Sequence, residues 1–314
     1  MKPARLPHFD EVEIGRKIGY DLFKYGRIVE THVSHPSVAE GFLLAQVQAV
    51  RQQVPDRYTR KWLQVRINAY AKRRYVDEQV TPQYIKSIDV PLCPVMRVAL
   101  THGELLGTDW SIDRLNNDGA YAPSNLAVMG TIANQAKNDR CFEEVYALSQ
   151  QSSASQLVEG LTPQQWLRLA ALMLGPCFAT NAGCAPTIPL VVPIPKHTVR
   201  QAMQQVQYVF TLKAGRPTGK NLLIKSFSAA SGSESCMNRL HFLAEAVHSG
   251  LKGVEYPWDV WLIPGVMDLL VQWRSCMNDA AWAMAGEISR QLAGGYRINP
   301  QRLNTWNLAN RGYL

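Results

Sequence analysis

The stretch from Trp110 to Lys137 constrains the fold of this chain more than any other. It reads Trp110-Ser111-Ile112-Asp113-Arg114-Leu115-Asn116-Asn117-Asp118-Gly119-Ala120-Tyr121, then Asn125-Leu126 and Asn134-Gln135-Ala136-Lys137. A strand would end at Asp113. The Asn-Asn-Asp-Gly run that follows is turn chemistry: Gly enters left-handed backbone freely, and Asn and Asp bond their own main chain. Taken alone, that run is an ordinary hairpin turn and not a site. A second strand, Asn125 to Met129, is apolar about its centre. From about Thr131 a helix would carry Asn134 and Lys137 three residues apart, on nearly one face. Strand, loop, strand and helix in this order turn the Asp113 and Asn134 side chains toward one point, where both could face a single cation.

In order, Asp-Arg-Leu-Asn, Gly-Ala-Tyr, Asn-Leu and Asn-x-x-Lys resemble the HNH, or ββα-metal, nuclease motif, over roughly residues 90–140. The resemblance implies a metal-dependent endonuclease that hydrolyses phosphodiester bonds in nucleic acid, DNA foremost, with Mg²⁺ or Mn²⁺ as cofactor. It implies that Asp113 and Asn134 are the metal ligands, that Asn125 braces the loop and that Lys137 lies near phosphate. The chain departs from the family at Arg114, where the usual residue is the general base His. A guanidinium does not lose its proton near neutral pH. Arg114 would instead hold the scissile phosphate or the charge that builds on it. The attacking water then needs His102, in a turn ahead of Trp110, or a metal-bound hydroxide that requires no protein base. Many family members staple the motif with zinc on two Cys pairs. Here Cys93 and Cys141 flank it without any Cys-x-x-Cys, so no structural zinc is expected. A second reading keeps the module and drops the chemistry. In it the chain is a catalytically inactive nucleic-acid-binding or assembly protein on an HNH-like scaffold, and Arg114 marks the lost base.

Charge agrees with an anionic partner. The formal net charge is +8, from 33 Lys and Arg against 25 Asp and Glu, and a polyphosphate backbone is the commonest partner of such a chain. The most basic stretch is a helix expected over Arg57–Tyr75. Arg57, Arg60, Lys61, Arg66, Lys72, Arg73 and Arg74 fall there with no acid among them. Its Arg66, Lys72, Arg73 and Arg74, with Lys137, are the candidate phosphate contacts. The alternative is a solvated helix face whose C-terminal cations answer the macrodipole. The opening residues lack the apolar core of a signal peptide. The run Trp166 to Leu174 carries Arg168 and is too short to span a membrane. Six scattered Cys read as free thiols in a reducing compartment. A cytoplasmic protein without a membrane partner is expected; its oligomeric state is open.

The fold class expected is α+β: mostly helical, with a small central ββα module. Three regions are expected: a basic helical part over 1–85, the module over 86–149 and a mainly helical part over 156–314. Gln150–Ser155 is read as the linker between the last two. Further helices are expected near 14–25, 37–53, 198–212, 233–249, 265–278 and 279–293, with Trp258, Trp261, Trp273 and Trp282 filling a core. Cys141 to Ser149 is expected to prolong the module's helix. The large C-terminal part could bind a protein partner or signal that controls the module. Gly215–Asn221 superficially resembles a phosphate loop, but it is one residue short and ends in Asn. His241 and His248 lie seven apart without a third ligand. Arg290, Arg297, Arg302 and Arg311, with Trp306 and Tyr313, make a basic terminus that would dock on the protein or touch nucleic acid.

Overall fold

The computed structural model describes residues 10–26, 35–151, 156–178, 185–294 and 300–308. It is mostly helical, with one two-stranded antiparallel sheet among the described residues. The expected linker residues 152–155, together with Arg297, Arg311 and Tyr313, lie outside them.

Three helices build the N-terminal part. Helix α1 (Glu11–Lys24) starts where the Asp10 carboxylate accepts from the Val12 and Glu13 amides at 3.0 Å each. Helix α2 (Pro36–Val47) packs on it at very short range, because a Cβ at Gly19 or at Gly41 would sit within about 2 Å of the facing backbone. Helix α3 (Arg57–Ala71) is capped by Asp56, and a small cluster of Ile18, Leu22, Val38 and Ile67 joins the three. Both α2 and α3 end earlier than their apolar spacing predicts. Ala49 and Arg73 take left-handed backbone, with φ of 49° and 51°, and the Val50 and Arg74 amides reach back to the Ala45 and Ala69 carbonyls. This closes the helix without glycine, so no stop signal is written in the sequence.

After α4 (Pro82–Ile88), the ββα segment follows. Strand β1 (Trp110–Arg114) pairs antiparallel with β2 (Leu126–Gly130), Asp113 opposite Ala127 and Trp110 opposite Gly130. Helix α5 (Thr131–Lys137) springs directly from Gly130. The helix does not continue through Cys141. Asn138 at φ 47° ends it, and a separate α6 (Phe142–Ser149) begins after a turn. Arg97–Leu100 forms no strand, only a bridge between Leu92 and Ala99.

One apolar core takes in α4, both strands, α6 and α7 (Pro163–Cys177), and runs on to Val192. Trp166 and Leu169 of α7 therefore share a core with Leu126 and Val128. A separation of cores at 150–155 does not occur; the change comes near residue 190. From Leu190 a second core collects α8 (Ala202–Lys213), α9 (Pro217–Phe227), α10 (Glu234–Gly250), α11 (Val266–Ser275) and α12 (Asp279–Leu292) around buried Trp261 and Trp273. Trp258 and Trp282 pack against it. Within Gly215–Asn221, Arg216 is the N-cap residue and Pro217–Asn221 the start of α9, so the run is helical from Pro217 on. His248 is buried with Nδ1 2.6 Å from the Ala214 carbonyl, whereas His241 is exposed. Arg97 ties the two cores together: it bonds Asp259 at 2.7 Å and stacks 3.9 Å from the Tyr256 ring centre. Among the described residues no helix is long and apolar enough to cross a membrane.

Candidate nucleic-acid interface

Side chains alternate across a strand, so Ser111 and Asp113 leave β1 on one face and Ile112 and Arg114 on the other. Helix α5 lies over the first face. Its Asn134 and Lys137, one turn apart, meet Ser111 and Asp113 as two polar rungs. In the outer rung the Asn134 Nδ2 donates to the Ser111 Oγ at 2.6 Å. In the inner rung the Lys137 Nζ lies 3.1 Å from the Asp113 Oδ2. The Lys137 side chain has no exposed surface, and that of Asp113 is 7 % exposed. The same ammonium donates to the Arg114 carbonyl at 2.7 Å and to the Asn117 Oδ1 at 3.1 Å. Burial pushes the Asp113 carboxyl above the ordinary carboxylate range, and the nearby Lys137 charge pulls against that shift.

A divalent cation does not fit these residues as they stand. Asp113 and Asn134 sit in separate rungs, and an ammonium occupies the ground beside the only carboxylate. A second positive charge there would meet repulsion in a low-dielectric setting. Among the described residues no three His, Cys, Asp or Glu side chains converge elsewhere. Lys137 is likewise not presented to a phosphate, because its three protons face inward. The resemblance implies a phosphate contact for Lys137; one turn of helix instead carries its ammonium under the sheet.

Arg114 serves the loop. Its Nη1 donates to the Asn117 and Gly119 carbonyls at 2.7 and 2.8 Å, and the guanidinium lies 5.0 Å from the Tyr121 ring centre. Burial lowers its pKa from the ordinary value. Asn125 is fully buried and ties the same loop from within. Its Oδ1 accepts from the Asn116 amide at 2.7 Å, and its Nδ2 donates to the Asn116 and Ala120 carbonyls at 2.8 and 2.9 Å. The C-terminal segment closes over the loop. The Ala120 amide donates to the Trp306 carbonyl at 2.9 Å, the Trp306 indole donates to Asp77 at 2.7 Å, and Leu308 packs on Ala120 and Ala122. The described part of the basic terminus is thus docked on the protein.

The candidate phosphate contacts divide. Arg66 pairs with Asp21 and stacks 4.2 Å from the Trp62 ring centre. Arg74 lines a cavity of about 350 Å³ shared with Asp10, Glu13 and Asp77. Arg73 lies 3.4 Å from Glu11, and Lys72 is exposed at the helix end. These four gather at the C-terminal end of α3. The groove on the ββα segment meets its other end.

Arg57, Arg60, Lys61 and Gln64, at i, i+3, i+4 and i+7 of α3, share one face. They form one wall of an open groove of about 640 Å³, whose other wall holds His102, Gly103, Asp109, Trp110, Ser111 and Thr131. The Lys61 Nζ donates to the Trp110 carbonyl at 3.1 Å, and burial lowers its pKa. Arg57 pairs with Asp89 at 2.7 Å and stands 3.3 Å from the His102 Nε2. Arg60 is exposed. The His102 ring meets Trp110 edge-on, with centres 5.2 Å apart. It thus stands at the Trp110 end of β1, about 10 Å along the strand from Asp113, and the two do not form one site. The sequence signal for this groove is the i, i+3, i+4, i+7 spacing of Arg57, Arg60, Lys61 and Gln64, not the density of cations at the helix end.

No family model matches the chain, and no curated protein or solved structure is similar to it at the level of a recognisable match.

Proposed function

We propose that this protein binds duplex nucleic acid, DNA foremost, without hydrolysing it, on a ββα scaffold similar to that of HNH nucleases. The observation that carries this reading is the buried Asp113–Lys137 pair. The module holds an internal ammonium beside the carboxylate that a nuclease of this type would offer to metal. Arg114, which stands in place of the usual base, is engaged by two loop carbonyls. The loop itself lies under Trp306 and Leu308. What supports binding is the groove beside the module, where Arg57, Arg60 and Lys61 converge, and the net charge of +8. Cations on one helix face neutralise phosphates without reading sequence.

The test pairs two assays on one preparation: nicking of supercoiled plasmid with Mg²⁺, Mn²⁺ or EDTA, and mobility shift of a short duplex under the same conditions. The reading expects a shifted duplex in all three and intact plasmid throughout. Metal-dependent nicking that Asp113→Ala abolishes would overturn it in favour of an endonuclease.

A further inference from the structure

Beside the basic groove stands an apolar loop tip that neither core uses. Leu105 is 97 % exposed and Leu106 is 52 % exposed. Leu105 also has φ 59°, in the left-handed region that leucine rarely adopts. The tip is held firmly. The Asp109 carboxylate accepts from the Thr101 hydroxyl at 2.6 Å and from the Gly103, Glu104 and Leu105 amides at 3.1, 3.2 and 2.9 Å. The Asp109 amide donates back to the Leu106 carbonyl at 3.0 Å, and the Ile132 amide to the Gly107 carbonyl at 3.0 Å. Ile132, itself 39 % exposed, packs so closely that a Cβ at Gly107 would lie 2.3 Å from it.

A single exposed leucine needs no explanation. Here two in succession sit on a pinned turn, one of them in unfavourable backbone. The base of that turn, His102, Gly103 and Asp109, is the groove wall that faces Arg57, Arg60 and Lys61. Backbone strain that the surroundings enforce points toward use. Cations for phosphate beside an apolar projection are the parts with which proteins part base pairs from the minor groove.

We propose that Leu105 and Leu106 form a wedge that inserts between adjacent base pairs of a DNA duplex seated in the Arg57–Arg60–Lys61 groove, unstacking one step and bending the helix. This rests on the nucleic-acid reading above. DNA is the substrate class because B-form duplexes kink at flexible steps and admit such wedges, whereas A-form RNA is recognised mostly by shape and 2′-hydroxyls. A step already weakened by a mismatch opens at lower cost, so a mismatched duplex should be preferred by about tenfold, equivalent to about 1.4 kcal/mol.

The experiment uses the full chain and a short DNA duplex carrying 2-aminopurine beside a central mismatch, with the matched DNA and an RNA duplex for comparison. Wild type is set against Leu105→Asn/Leu106→Ser. Asn tolerates left-handed backbone, and both positions are exposed, so the fold is retained. Wild type should raise 2-aminopurine fluorescence on binding and prefer the mismatch about tenfold. The variant should bind with the same salt slope, leave fluorescence near that of free duplex and show no preference. The wedge is overturned if the variant unstacks as wild type does, if wild type binds without a fluorescence rise, or if RNA is bound and unstacked equally well. A variant altered only in self-association by sedimentation would make the tip a protein contact and overturn the wedge. If wild type forms no complex even at low salt, the groove reading fails first, visibly, and the wedge falls with it.

Discussion

Replacing Lys137 with Met removes the ammonium and leaves the Asp113 carboxylate buried beneath α5. The side chains of the pair are 0 % and 7 % exposed, so solvent cannot take over the lost role. Breaking a buried pair from one side costs about 3–5 kcal/mol. The upper part of that range is expected here, because the Arg114 carbonyl and the Asn117 carboxamide lose a donor as well. The double variant Asp113→Asn/Lys137→Met removes both charges and should recover most of the loss, since an apolar or neutral pair often equals a buried ion pair. The assay is urea unfolding of wild type, both single variants and the double variant, followed by tryptophan fluorescence. The pH dependence supplies a second check. Asp113 has its carboxyl raised above the ordinary 3.8 in the folded protein. The folded state then holds the proton to higher pH than the unfolded chain does, so this group's contribution is greatest below about 3.8 and is lost as pH rises through the folded value. Lys137 pulls that value down, so its removal extends the window upward. The deficit of Lys137→Met should therefore be smallest in acid and grow toward neutral pH. A single variant within about 1 kcal/mol of wild type, or a double variant no better than Lys137→Met, would refute the reasoning.

Three further outcomes follow from the contacts. Asn125→Ala strips three buried bonds from the loop and should lower stability by about 3 kcal/mol, read as a fall in melting temperature. Arg66→Ala breaks the bond to Asp21 and should cost about 1.5–3 kcal/mol while leaving the salt dependence of duplex binding unchanged; a smaller slope would place Arg66 on the backbone. Asp259→Ala strands Arg97 between the two cores and should cost about 3 kcal/mol, and in hydrogen exchange the loss should appear on both sides of residue 190.

The element order of the ββα segment was legible because each signal there is local. A turn run separates two short apolar strands, and a helix carries polar residues one turn apart. The loop contacts of Asn125 belong to the same local grammar. What escaped was tertiary. Nothing in the spacing of Asp113 and Lys137 says that the cation folds under the sheet instead of facing solvent, since both outcomes share one helical period. The ends of α2 and α3 were missed because Ala49 and Arg73, not glycines, take the left-handed stop. The Ser-rich run near 150 reads as a boundary, yet Trp166 returns the chain to the same core. The cation density at Lys72–Arg74 drew attention to the end of α3 away from the groove on β1. The four-residue stripe of Arg57, Arg60, Lys61 and Gln64 becomes meaningful only once β1 is seen to face it.

The central claim is metal-independent binding through that stripe. It is tested most directly by duplex affinity over a salt series in EDTA and in Mg²⁺, for wild type and Arg57→Ala/Arg60→Ala. The account predicts one steep line for wild type in both media, after allowance for the Mg²⁺ competing as a counterion, and a slope shallower by about 1.8 in the variant, from two phosphate contacts at about 0.9 each. Binding that requires Mg²⁺, or a variant slope equal to that of wild type, would contradict it.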